Sequence, residues 1–107
     1  MSDELHIVLD RDGPDAVVRL VGEVDMANAP ELEATLLTAV ADDARRLVVD
    51  VDGLSFIDSS GLRVLAITAR TLAGADAPRP MVVRGAHGPV RRILEITGLD
   101  AVLGVEG

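Results

Sequence analysis

Apolar and polar residues along this chain follow two periods, and the switches between them mark the elements. Leu5-His6-Ile7-Val8-Leu9 and Ala16-Val17-Val18-Arg19-Leu20-Val21 are short runs rich in β-branched residues, which predict strands. Asp12-Gly13-Pro14-Asp15 between them is made of turn residues, and so short a link predicts antiparallel pairing. Gly22 to Met26 leaves the second strand. Asn28-Ala29-Pro30-Glu31 then predicts a helix start, with Pro in the first turn and Glu31 and Glu33 near the positive end of the helix dipole. Leu32, Leu36, Leu37 and Val40 give this helix its core face, and Asp42-Asp43 end it.

Residues 46–51, centred on Leu47-Val48-Val49-Asp50-Val51, predict a buried strand. Farther on, Leu62, Leu65, Ala66, Ala69, Leu72 and Ala73 recur at helical spacing. They predict a helix from Ser59 or Ser60 to about Ala73, with Gly74 as its C-cap. Ala75 to Pro80 reads as a loop, Met81-Val82-Val83-Arg84 as a strand, and Gly85 to Gly88 as a turn. Pro89 opens a helix over 89–97, with Val90, Ile93, Leu94 and Thr97 facing inward and Gly98 stopping it. Leu99 to Val105 reads as an edge strand. Strand–helix–strand units pair their strands in parallel through right-handed crossovers. The pattern therefore predicts the α/β class: a mixed sheet of four to five strands, with helices packed mainly on one face.

Length and composition narrow the picture. At roughly 100–200 residues per domain, 107 residues make one domain, 1–107, with no repeat and no linker. Phe56 is the only aromatic residue, so the core is aliphatic and no stacking platform for bases or sugars exists. A net charge of −8 argues against nucleic acid and anionic membranes as partners. The absence of cysteine excludes disulfides and thiol chemistry. No apolar run approaches a membrane span, so no membrane insertion is expected, and Met1-Ser2-Asp3-Glu4 is acidic, unlike a signal peptide. A cytoplasmic protein is the expectation. The charge is uneven: residues 1–58 hold 14 acids and 4 arginines, while residues 59–107 hold 4 acids and 6 arginines. If the fold kept these halves apart, the surface would suit protein docking, although a solubilising acidic surface explains the same counts.

The break falls at Asp58-Ser59, where the apolar strand segment gives way to the amphipathic helix. Asp58 is placed to accept the helix's unpaired N–H groups. Ser59 and Ser60 follow in the first turn, on a rigid element, where a phosphate would change the charge of an exposed rim. Ser59 is the expected acceptor and Ser60 its competitor. The plain alternative is a helix cap and nothing more. A serine hydrolase reading needs a base, and only His6 and His87 are available, with no Gly-x-Ser-x-Gly elbow. No ligand cluster of recognisable spacing suggests a metal, and neither glycine-rich phosphate motif occurs, so no cofactor is expected.

Three stretches follow in order along the chain. The first is Leu20-Val21-Gly22-Glu23-Val24-Asp25 with Ala29, Pro30, Leu32 and Leu36. The second is Leu54-Ser55-Phe56-Ile57-Asp58-Ser59-Ser60-Gly61-Leu62, and the third runs from Val90 to Leu99. Together they resemble the STAS family of bacterial anti-sigma factor antagonists. The first resembles the family's "G-E-L/I-D" strand exit and helix, and the second its "L-x-F-I/M-D-S-S-G-L" signature. The resemblance implies an anti-anti-sigma factor, a binding module and kinase substrate rather than an enzyme. Its unphosphorylated form would bind an anti-sigma factor that is also a serine kinase, releasing the sigma factor. Phosphorylation at Ser59 would end binding, and a PP2C-type phosphatase would restore it.

The partner surface implied by the resemblance comprises Asp25, Ala27, Asn28, Asp58, Ser59, Ser60, Gly61, Leu62 and Arg63. A phosphate there adds roughly −1.5 to −2 charge beside Asp58. The N–H groups at the helix start are expected to anchor it without disturbing the fold. The family's further C-terminal helix is absent or truncated in a chain ending Val105-Glu106-Gly107. An apolar surface around Leu99, Val102 and Leu103 is therefore expected to be less covered, leaving oligomeric state open. The alternative reading is a non-switching STAS scaffold subunit of a stress-sensing or lipid-transport complex.

Overall fold

The computed structural model describes residues 5–106; Met1 to Glu4, Gly107 and the side chain of Val102 lie outside the described residues. The order is β1 (His6–Asp12), β2 (Asp15–Val24), α1 (Ala29–Ala41), β3 (Arg46–Ile57), α2 (Ser59–Ala73), β4 (Met81–Arg84), α3 (Gly88–Thr97), α4 (Leu99–Val102) and β5 (Gly104–Glu106). One sheet holds the strands in the order β1-β2-β3-β4-β5. β1 and β2 form an antiparallel hairpin that turns at Gly13-Pro14, with Asp12 opposite Asp15. The other neighbours pair in parallel.

Sequential order has a consequence. Each crossover steps the same way across the sheet, and crossovers of one hand then place every helix on the same face. The burial pattern agrees. Ala16, Val18 and Leu20 of β2, Leu47, Val49 and Val51 of β3, and Val83 of β4 join helix residues Leu32, Leu36, Leu65, Leu72 and Leu94 in one core. Each fully buried leucine contributes roughly 1.5–3 kcal/mol. The alternate residues point to the helix-free face. There Val17, Val48 and Val82 stand in register and are buried between rows of ion pairs. Arg46 pairs with Asp15 at 2.9 Å on one side, and Asp50 lies 3.9 Å from Arg19 and 3.7 Å from Arg84 on the other. The arginine stems flank the apolar row while their heads stay wet. The order also lays the acidic first half of the chain beside the mildly basic second half.

Several expectations shift. Leu37 is exposed, because α1 buries Ala29, Leu32, Leu36 and Ala39, and Leu37 lies one residue around from that stripe. α2 likewise buries Gly61, Leu62, Val64, Leu65, Thr68 and Leu72, while Ala73 is exposed. Thr68 offsets its burial by donating to the Val64 carbonyl at 2.8 Å. β3 continues to Ile57, well past residue 51, because β2 continues beside it to Val24 through two register shifts. The segment Leu99 to Val105 is not one edge strand. Gly98 turns at φ +75°, α4 makes a single turn, and only Gly104–Glu106 pairs at the edge. Leu103 is buried at 2% exposure rather than uncovered.

Candidate functional site

The first half of the site is a strand end joined to a helix start. Asp58 sits between β3 and α2 in extended conformation, and its backbone is held from both sides. Its N–H donates to the Val24 carbonyl at 3.1 Å, and its carbonyl accepts from the Leu62 N–H at 3.0 Å. Its carboxylate accepts from the N–H groups of Ser60 at 2.9 Å and Gly61 at 3.2 Å, and from the Ser60 hydroxyl at 2.6 Å. The Ser60 hydroxyl, followed by the amides of Gly61, Ser60 and Met26, holds the carboxyl below its usual range against the opposing effect of burial. The expected cap is therefore real, and it occupies the helix-start amides of Ser60 and Gly61. A phosphate on Ser59 would find those two groups already engaged.

The two serines differ sharply. Ser60 is half-buried and its hydroxyl is engaged by Asp58. Ser59 is exposed, and its hydroxyl makes no hydrogen bond among the described residues.

The second half is the loop from β2 to α1. Asp25 turns its carboxylate onto the N–H groups of Ala27 at 2.9 Å and Asn28 at 3.2 Å. Asn28 returns the contact: its side-chain oxygen accepts from the Asp25 N–H, and its amide donates to the Glu23 carbonyl, both at 2.9 Å. Such side-chain bonds to nearby backbone are what make Asp and Asn turn formers. Pro30 follows in the first turn of α1. The loop is thus fixed, and it projects Met26 at 79% exposure.

Loop and helix start meet across an open groove of about 650 Å³. Ser59, Ser60, Arg63, Val64 and Ile67 of α2 line one wall; Met26, Ala29, Pro30 and Glu33 line the other. Of the residues singled out in the sequence, Ser59, Ser60 and Arg63 lie in the groove. Asp58 caps the helix that carries one wall, Asp25 and Asn28 shape the loop, and Ala27 is exposed on it. Gly61 and Leu62 face inward. A Cβ at Gly61 would stand 2.6 Å from Val24 Cγ1 and 2.7 Å from Ile57 Cγ1. Leu62 belongs to the core. Sequence reasoning missed Met26, Pro30, Glu33 and Ile67. The available signal was an apolar residue standing off the core stripe, as Ile67 does on α2.

Neither histidine lines the groove. His87 stands just before α3 without a side-chain capping bond, its Nε2 lying 2.8 Å from the Asp52 carbonyl, and His6 lies on β1. Among the described residues no group of three or more His, Cys, Asp or Glu is placed to hold a metal ion, and no helix is long and apolar enough to cross a membrane.

This fold matches known proteins. The family model described as "Mlab, STAS domain" matches residues 7–104. The chain belongs to the STAS family. It is 36% identical over 85 residues to the anti-sigma-F factor antagonist RsfB of Mycobacterium tuberculosis, covering 79% of this chain and 67% of that protein. The crystal structure of an anti-sigma factor antagonist from Mycobacterium paratuberculosis superposes with a TM-score of 0.85 at 33% identity, covering 95% of this chain and 85% of that one. The antagonist SpoIIAA superposes in its unphosphorylated form with a TM-score of 0.77 at 26% identity, covering 95% and 89%. Its phosphorylated form, from Bacillus, superposes with a TM-score of 0.70 at 25% identity, covering 95% and 92%. These three relatives are anti-sigma factor antagonists, one of them solved in two phosphorylation states.

Proposed function

We propose that this STAS domain is an anti-sigma factor antagonist whose docking rim is switched by phosphorylation of Ser59. The observation that carries the reading is the contrast at the start of α2: an exposed, unengaged Ser59 hydroxyl beside a Ser60 hydroxyl held by Asp58. A kinase needs a hydroxyl it can reach, on a backbone that stays in place, and Ser59 offers both. The partner is an anti-sigma factor with serine-kinase activity. It docks on the rim formed by Asp25, Ala27, Asn28, Asp58, Ser59, Ser60 and Arg63, with Gly61 and Leu62 holding that rim from beneath. The apolar Met26 and Ile67 extend the surface along the groove. The kinase moves the γ-phosphoryl group of ATP to Ser59 Oγ, with loss of ADP and the hydroxyl proton. A PP2C-type phosphatase hydrolyses the ester back to serine and phosphate.

The added charge opposes docking because it lies beside Asp58 and across the groove from Glu33. Setting it against a partner without a matching cation costs several kcal/mol at the order-of-magnitude level. Each ~1.4 kcal/mol is tenfold in affinity. The test is phosphosite mapping by mass spectrometry on protein isolated from its native cells, with and without stress. A condition-dependent phosphate on Ser59 is expected. An unmodified Ser59 under every condition would overturn the switch and leave a non-switching scaffold subunit as the reading.

A further inference from the structure

The chain carries ten arginines. Arg11, Arg19, Arg46, Arg84 and Arg91 stand within ion-pair distance of carboxylates. Arg79 is spent on backbone carbonyls near the end of α1. Among the described residues Arg45, Arg63, Arg70 and Arg92 make no side-chain hydrogen bond or ion pair. Of these four, only Arg63 lines the groove that holds Ser59.

Ser59 is the first residue of α2 and Arg63 the fifth. Residues four apart on a helix are surface neighbours, their Cβ atoms ≈ 5–6 Å apart, and an anion placed N-terminal to a cation is the better order. The usual alternative for a phosphate at a helix start, the free backbone amides, is narrowed here. Asp58 already holds the N–H groups of Ser60 and Gly61. We infer that Arg63 is the cation that receives the Ser59 phosphate, closing an intrahelical clasp over the mouth of the groove. This rests on the phosphoswitch reading and deepens it.

One modification then makes two changes. Before phosphorylation the groove presents a neutral hydroxyl and an unpaired guanidinium, which suits a partner carboxylate. Afterwards the guanidinium is engaged within the helix, and the rim carries a phosphate beside Asp58 and Glu33. Negative charge is added and the groove's free cation is withdrawn together. Arg63 touches no reacting atom in this scheme. It is a positioning residue for the phosphate, which demands a readout other than loss of binding.

Phosphoserine is installed at position 59 during translation, so that no kinase is required, and its second ionisation is followed by ³¹P NMR. A phosphoserine titrates near pH 6, and a guanidinium within reach favours its dianion. The charged groups around it are Asp58 before it, Asp25 on the loop that leads into α1, Glu33 across the groove on α1, and Arg63. The midpoint is expected to lie at least ~0.3 pH unit lower in the wild type than in Arg63→Gln, with Arg63→Lys in between. Arg70→Gln is the control. It removes the same charge from the same helix nearly two turns beyond Arg63, and it is expected to titrate with the wild type. Equal midpoints in Arg63→Gln and Arg70→Gln would overturn the clasp. That result leaves Ser59 as a phosphate acceptor untouched, whereas absence of native phosphate on Ser59 defeats the switch without altering this titration.

Discussion

Ser60 donates its hydroxyl to the Asp58 carboxylate at 2.6 Å, and this bond separates two adjacent serines into a structural residue and an available one. The distinction is open to measurement in the unmodified protein. Ser60→Ala removes a hydrogen bond to a charged group, worth ~1.5 kcal/mol at a half-buried position. Ser59→Ala removes an exposed hydroxyl that makes no hydrogen bond among the described residues, so its effect stays within about ±0.5 kcal/mol. Urea unfolding of the two variants is expected to show that gap. Equal losses would mean that Ser59 is also held.

Asp58 links the site to pH. Its folded-state ionisation lies below the usual carboxylate value, so the charged carboxylate is favoured by folding. A depressed pKa contributes stability that is present above the unfolded value and lost as pH falls through the folded one. Thermal midpoints are therefore expected to fall on acidification below about pH 4, the unfolded aspartate value. Asp15 and Asp43, whose ionisations are lowered chiefly by their bonds to Arg46 and Arg11, add to the same slope. Asp58→Asn is expected to flatten part of it, whereas Asp58→Ala at neutral pH loses the cap, ~1 kcal/mol or more. An unchanged acid slope in Asp58→Asn would show that the cap does not titrate.

Gly61 tests the seat of the helix. Alanine is the better helix former by up to ~1 kcal/mol, which on its own predicts stabilisation. The added Cβ would meet Val24 and Ile57 well inside contact distance, and both side chains are buried in the core. Overpacking of this kind costs typically ~1–3 kcal/mol, so the clash outweighs the propensity. Gly61→Ala is expected to lower the thermal midpoint. A rise would mean that α2 shifts outward at no cost, and the rim would then be less rigid than the capping bonds indicate.

The fold was legible because each parallel crossover leaves a local signature: a β-branched run, a turn, then an apolar helical stripe. Asp58, Gly74 and Gly98 stand at element ends in the sequence and in the structure. What escaped was decided by neighbours. Leu37 fits a helical stripe as well as Ala39 does, and only the position of the sheet chooses Ala39. The last six residues of β3 alternate poorly by themselves and are held in the sheet by β2. Leu99 to Val102 turns into a helix because Gly98 allows the left-handed turn and Leu103 then reaches the core. In the site, Asp58, Ser59 and Arg63 were readable from one contiguous motif. Met26, Pro30 and Glu33 come from a loop and helix some thirty residues away, and their place depends on how α1 packs on α2.

Arg79 shows how a loop far from the site bears on α1, which forms one wall of the groove. Its guanidinium donates to the carbonyls of Asp42 at 2.6 Å and Ala44 at 2.8 Å, and to that of Val40. Carbonyls in the last turn of a helix have no intrahelical partner, and α1 has no basic residue of its own in its last turn. Arg79 supplies that cation from the segment before β4. A fork of donors reaching three oxygens is a geometry that lysine cannot copy. Arg79→Ala is therefore expected to cost ~2 kcal/mol, and Arg79→Lys to recover less than half of it. Amide exchange locates the effect: protection is expected to fall in the last turn of α1 and in residues 42–46, while the capped start of α2 keeps its protection. If exchange instead rose uniformly along the chain, Arg79 would be stabilising the whole domain rather than holding the end of α1.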